Sequence, residues 1–179
     1  SPVVAMERKI ALVPEDRRQQ GLFMVAGVDR NISMESFSAL TDRGLINFKK
    51  ERSLTATWKE KLSIKFNNQA DPVDRLSGGN QQKIVVAREI EQNPKVLLVG
   101  QPTRGVDIGA IEFIHKQIVA LRDQGAAILL VSVELDEIMS LSDRIAVMFD
   151  GRIMGERRPE ETTAQELGLL MAGINGKAA

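Results

Sequence analysis

The sequence contains no cysteine, which removes both a disulfide framework and a cysteine-ligated zinc site from consideration. Such a chain suits a reducing compartment. Its single histidine, His115, cannot assemble a histidine metal cluster. Neither sign of charge is in excess: 24 Lys and Arg balance 24 Asp and Glu, so no global field draws the chain to nucleic acid or to anionic lipid. Long apolar runs are missing too. Runs such as Ala126 to Val131 cover about six residues, where about 20 are needed to cross a bilayer, and no secretory signal is visible at the N-terminus. Membrane association is therefore expected only through a partner.

What is present fits an ordinary globular chain of 179 residues, with 43% hydrophobic and 27% charged residues, and one domain with room for two lobes is the natural expectation. No internal repeat is apparent. Lys9-Ile-Ala-Leu-Val reads as a short buried strand stopped by Pro14. From Asp29 to Gln92 strand character fades; Asn31 is placed to cap a helix, and Thr55 to Ile64 carries helix-compatible residues around Trp58. Lys95-Val-Leu-Leu-Val and Ala126-Ala-Ile-Leu-Leu-Val are compact strand-like runs. Between them Ile108, Ile111, Ile114, Ile118 and Leu121 recur at helical steps, with Asp107 as cap and Gly125 after the end. Strand, helix, strand at this spacing predicts a right-handed parallel crossover. The Asp150-Gly151 pair between two apolar runs predicts an antiparallel hairpin. Asn175 to Ala179 reads as a frayed tail.

The stretch that carries chemistry is Leu76-Ser77-Gly78-Gly79-Asn80-Gln81-Gln82-Lys83, running into the helical pattern Ile84, Val85, Ala87, Arg88, Ile90. A Ser-Gly-Gly turn feeding a helix exposes unpaired N–H groups at the positive end of the helix dipole, and the glycines let a phosphate approach the backbone. Taken alone, Ser-Gly-Gly is more often a plain helix cap than a phosphate site. The whole string resembles the ABC signature motif in the form found in bacterial sugar and nucleoside importers. Lys95-Val-Leu-Leu-Val-Gly-Gln-Pro-Thr-Arg-Gly-Val-Asp is similar to a Walker B strand with its D-loop, which places Asp107 in the D-loop. Ile128-Leu-Leu-Val-Ser-Val-Glu-Leu resembles the switch strand, and Val13-Pro-Glu-Asp-Arg-Arg-Gln-Gln-Gly-Leu resembles the segment near the Q-loop of the second ATP-binding domain, where Glu15 falls. The resemblance covers roughly residues 8 to 157.

It implies a partial P-loop NTPase domain of the ABC type, an α/β fold with parallel strands, a mainly helical signature lobe and a C-terminal antiparallel hairpin. The implied divisions are 1–28 (Q-loop-region strand and turn), 29–92 (helical signature subdomain), 93–174 (remainder of the RecA-like core) and 175–179 (tail). It further implies nucleotide contacts at Ser77, Gly78, Gly79, Asn80 and Gln81, which complete an ATP site whose P-loop belongs to a second nucleotide-binding domain. The helical lobe is expected to dock on transmembrane permease subunits, at the cytoplasmic face of the cell membrane. ATP and magnesium are expected in the assembled complex and not in the isolated chain.

Departures from the family pattern matter equally. No Gly-x-x-x-x-Gly-Lys-[Ser/Thr] motif is present. Gly100 and Gln101 stand where the family has a magnesium-supporting Asp and a water-orienting Glu, and Val133 stands where it has the switch His. Glycine offers no ligand oxygen, an amide is a weak base, and a hydrocarbon cannot meet a phosphate. A degenerate site is expected, and the chain alone should not hydrolyse ATP. His115 reads as structural, Glu156-Arg-Arg-Pro-Glu-Glu as a solvated surface, and Trp58 and the methionines as core or interface. Two other functions compete: a soluble ABC ATPase of translation or DNA repair, and an ATP-independent interaction module. Basic extensions or zinc-binding cysteines would mark the former, and neither is seen.

Overall fold

The computed structural model describes residues 1–174, so the predicted tail at 175–179 lies outside the described residues. The chain divides into two compact units, one from Ser1 to Val131 and one that begins at Ser132.

The first unit opens with helix α1 (Pro2–Glu7), which has proline in its first turn, and continues into strand β1 (Ile10–Val13), which Pro14 ends. Asp16 then caps a π-turn over Arg17–Gly21 by accepting from the Arg18 and Gln19 amides. Helices α2 (Val28–Ser33) and α3 (Phe37–Leu40) lead to a small ribbon of β2 (Thr41–Asp42) and β3 (Leu45–Ile46). Helices α4 (Phe48–Lys61) and α5 (Gly78–Glu91) follow. Strand β4 (Val96–Gly100), helix α6 (Ile108–Asp123) and strand β5 (Ala127–Val131) complete the unit. The three longer strands form one parallel sheet in the order β1-β4-β5, with Leu12, Leu98 and Leu129 in register.

Alternation along these strands divides the sheet into two faces. Ala11, Val13, Leu97 and Val99 are buried in a core shared with Ile84, Val85 and Ala87 of α5 and Ile114, Ile118 and Leu121 of α6. On the opposite face Leu12, Leu129 and Val131 are each more than half exposed, while Ile10 and Leu98 are partly buried. Trp58 belongs to the core, and its indole N–H donates to Glu91 at 2.7 Å.

Two expectations about helix ends need correction. Asn31 is not a cap: Gly27 precedes α2, and Asn31 lies fully buried inside the helix. Its amide instead ties down the preceding loop, accepting from the Phe23 N–H at 2.9 Å and donating to the carbonyls of Phe23, Ala26 and Gly27. Burial supplied the reason, because a buried amide must find partners on every side. Ile108, counted in the apolar stripe of α6, is 86% exposed. It sits in the first turn, ahead of the segment that meets the sheet. Asp107 does cap α6, accepting from the Ala110 N–H at 3.0 Å, and Gly125 follows with φ +96°. The ribbon at Thr41–Ile46 left no trace in the periodicity because its strands are two residues long; its turn is marked by Arg43 and Gly44, both with positive φ.

In the second unit, helix α7 (Leu135–Leu141) precedes an antiparallel pair of β6 (Ile145–Phe149) and β7 (Arg152–Arg157). Asp150 and Gly151 turn the hairpin with φ of 46° and 72°, the conformation that an Asp-Gly pair favours. Helix α8 (Ala164–Met171), capped by Thr163, covers the pair through Leu167 and Leu170. The charged run after Gly155 is mostly solvated, although Arg157 pairs with Glu166 at 2.7 Å. Among the described residues no helix is long and apolar enough to cross a membrane.

Candidate functional site

Helix α5 begins as its sequence dictates. Ser77 adopts an extended conformation and its hydroxyl faces the Asn80 N–H at 3.4 Å, while the Asn80 amide donates to the same oxygen at 2.9 Å. The first turn contains no acidic residue. The positive end of a 14-residue helix is thus capped by a neutral group, and the carboxylate that lies against its first turn is that of Asp107, from the loop after β4. Beside it lies a cleft of about 390 Å³ lined by Ser63, Lys65, Ser77, Asn80, Lys83 and Asp107. Burial holds the Lys83 ammonium below its ordinary range; Asp107 draws it back up, and Lys65 pushes it further down.

Segments distant in sequence converge on this helix end. A β-carbon on Gly78 would stand 2.6 Å from Nη2 of Arg17 and 2.7 Å from the carbonyl oxygen of Gly105. One on Gly79 would collide with the Asp107 carboxylate and press on Ala110. The paired glycines are therefore required by the loop after β4, which packs directly on the helix start. Arg17 donates to the carbonyls of Arg104 at 2.8 Å and Gly105 at 3.2 Å, and Arg104 in turn pairs with Glu15. Burial and the neighbouring Arg18 lower the Arg17 guanidinium from its ordinary value, against the pull of Asp16.

These contacts revise two expectations. Gly79 is buried rather than exposed at an open helix start, so a larger residue there disturbs the fold as well as any ligand. Gln81 is also buried, and its amide donates to the carbonyls of Val73 at 3.0 Å and Leu76 at 3.2 Å. It shapes the turn before the helix and does not face the cleft. Ser77 remains exposed, with Gly78 and Asn80 partly so.

Gly100 closes β4, and a β-carbon there would lie 3.2 Å from the Glu15 backbone nitrogen. Glycine at this position thus allows the segment after β1 to lie close against the strand end. Gln101 follows with φ +46°, its N–H donating to the Val131 carbonyl at 2.8 Å. These residues do not fit a magnesium site: Gly100 has no side-chain oxygen, and among the described residues no group of three His, Asp, Glu or Cys could hold an ion. Val133, in the bend before α7, is 60% exposed, and His115 is partly buried on α6.

Sequence reasoning missed two groups. Arg17 was one, signalled only by consecutive arginines behind a capping Asp16. The second lies near the other end of α5, where Arg88 pairs with Glu89 at 2.9 Å and Glu35 at 3.2 Å and donates to the Gly21 carbonyl at 2.7 Å. Burial, reinforced by Glu89 and opposed by Arg88, pushes the Glu35 carboxyl up to about 7.

No family model matches the chain, but curated proteins and solved structures resemble it. The nucleoside import ATP-binding protein NupA of Lactococcus lactis subsp. cremoris (strain MG1363) is 45% identical over 171 residues, covering 94% of this chain and 34% of that protein. The guanosine import ATP-binding protein NupO of Bacillus subtilis (strain 168) is also 45% identical, covering 100% of this chain and 36% of its own length. The ribose import ATP-binding protein RbsA 2 of Streptomyces avermitilis is 41% identical, covering 100% and 35% respectively. The chain spans about a third of the length of the curated relatives it matches. Among solved structures, the ATP-binding cassette MJ0796, in a dimeric post-hydrolysis state bound to ADP and Pi, superposes with a TM-score of 0.72 at 21% identity, covering 88% of this chain and 66% of that one. The ADP conformation of the cassette MJ1267 gives 0.64 at 19% identity, covering 96% and 68%. At such identities the structures speak to the fold alone. By sequence and by fold, the chain belongs to the ABC ATPase cassettes, alongside the ATP-binding proteins of nucleoside and sugar import.

Proposed function

We propose that the chain is the signature-bearing part of the ATP-binding subunit of an importer for a sugar or nucleoside. Ser77, Gly78, Gly79 and Asn80 complete an ATP site whose P-loop lies on a second nucleotide-binding domain. The observation that carries this reading is the start of α5: a neutral cap with an exposed hydroxyl, no acid among the helix's own first-turn residues, and a cleft beside it where Lys65 and Lys83 outnumber the single carboxylate of Asp107. Such a helix end attracts an anion through its free N–H groups and its dipole. When the two domains close, these groups meet the terminal phosphate of an ATP held mainly by the partner. Magnesium and water activation fall to the partner's residues, since Gly100 and Gln101 supply neither a metal oxygen nor a base. Gln81 takes no part in ligand contact and holds the turn. Asp107 caps α6 and braces Gly79, which links the D-loop position to the helix start. Permease subunits anchor the assembly at the inner face of the cell membrane, and the names of the relatives support a nucleoside or ribose as cargo.

Ser77→Asp tests this in the full-length subunit assembled with its permease. Aspartate caps a helix as well as serine does, so folding is retained, while its carboxylate repels a phosphate. ATPase turnover should fall by about 100-fold or more, the scale of a lost transition-state donor, with an unchanged unfolding midpoint. Wild-type turnover in this variant would overturn the reading.

A further inference from the structure

We propose that Arg17 is a positioning residue, a clamp that holds the loop after β4 on the first turn of α5 so that both present one rigid surface to nucleotide. The proposal rests on the reading that the start of α5 meets a phosphate. The guanidinium reaches across the chain to the Arg104 carbonyl at 2.8 Å and the Gly105 carbonyl at 3.2 Å, residues 87 and 88 positions away. Its Nη2 also stands where Gly78 has no room for a side chain, so the same group touches the helix and the loop. Its Nε is buried and has no hydrogen-bond partner among the described residues.

This placement has an electrostatic cost that surface decoration would not incur. A cation beside the positive end of a helix is disfavoured, and a guanidinium nitrogen removed from water without a partner adds to the penalty. What the arrangement supplies in return is geometry. Two carbonyls of adjacent residues are gripped by one planar fork, and Gly105, with φ +64°, turns the chain so that both oxygens face it. Asp107, two residues further on, then lies against Gly79. Loop and helix start are thereby locked at a fixed separation, and groups that must meet a transition state together arrive already aligned.

Arginine is specified by this geometry, because a lysine ammonium is a point charge that cannot reproduce the fork. The clamp does not touch ATP itself, so it should act on turnover more than on apparent affinity.

The test uses the full-length ATP-binding subunit reconstituted with its permease in liposomes, comparing Arg17→Ala, Arg17→Lys and Ser77→Asp. With Arg17→Ala, kcat for ATP should fall by about 10- to 100-fold, the scale of a small misplacement of reacting groups, while KM moves less than about 3-fold. Arg17→Lys should recover part of kcat. Amide hydrogen exchange at residues 103–107 should quicken in Arg17→Ala and remain unchanged along β4 and β5. Wild-type kcat in Arg17→Ala overturns the proposal, whether or not exchange quickens, and so does an effect confined to KM. Should Ser77→Asp also retain wild-type turnover, the reading of the helix start fails; should Ser77→Asp abolish turnover while Arg17→Ala does not, only the clamp fails.

Discussion

Helix α5 carries a knot of charge near each end, and the two behave oppositely. Near its C-terminal end Arg88 and Glu89 have side chains only 7% and 5% exposed, with Glu35 beside them and the Leu12 N–H donating to Glu89 at 3.3 Å. At its start Glu15 and Arg104 pair in the open, 53% and 69% exposed, with Arg17 gripping the adjacent carbonyls. Taking charges out of water makes each dependent on its partners, so the buried knot holds β1, α5 and the Met34–Ser36 turn together. The solvated pair contributes little energy, since water competes for every charge. One end of the helix is thus held by buried charge and the other by solvated charge.

The largest break in this contrast should come from Arg88→Ala. Removing one member of a buried ionic group strands the others, and a loss of about 3–5 kcal/mol is expected in denaturant unfolding of the chain. If Arg104→Ala cost as much, the distinction between the two ends would collapse.

Next comes backbone crowding at the helix start. Gly79→Val should destabilise by about 1–3 kcal/mol, because its side chain must displace Asp107 and Ala110. Gly109, at the start of α6, has only Asp107 within reach at 3.6 Å, so Gly109→Ala should be neutral or stabilising by up to about 1 kcal/mol. Thermal unfolding of the pair separates a packed helix start from an open one.

Glu35 gives the buried knot a dependence on pH. Its carboxyl is raised to about 7 from an ordinary 4.5, so the protonated form is favoured in the folded chain. Its contribution to stability is fully present below pH 4.5 and is lost as pH rises through about 7. Wild-type stability relative to Glu35→Gln should therefore fall between these values. A difference that stays flat, or rises with pH, would show that the carboxyl is ionised throughout.

The smallest effect is expected at the exposed pair. Arg104→Ala should cost less than about 1 kcal/mol, and added salt should erase most of it.

Some of this protein was legible in its residues alone. β4, β5, α6 with its Asp107 cap, and the Asp150-Gly151 turn were readable because periodicity and capping depend on neighbours within a few positions. The same holds for Ser77 at the start of α5 and for the absence of oxygen ligands at Gly100. A six-residue ribbon at Thr41–Ile46 was too short to show a period, and Asn31 has the chemistry of a cap in a place where burial demands more.

What the tertiary structure alone decided is which of these locally sensible groups meet. Gly79 against Asp107, Gln81 turned inward, Arg17 across 87 residues to Arg104 and Arg88 against Glu35 are all contacts that no local pattern encodes. Propensity and capping are settled within a turn of chain, whereas the direction of a long side chain is settled by the packing of the whole sheet and its helices. The sequence by itself marked Ser77 as the start of α5, and the fold determined which residues hold that start in place.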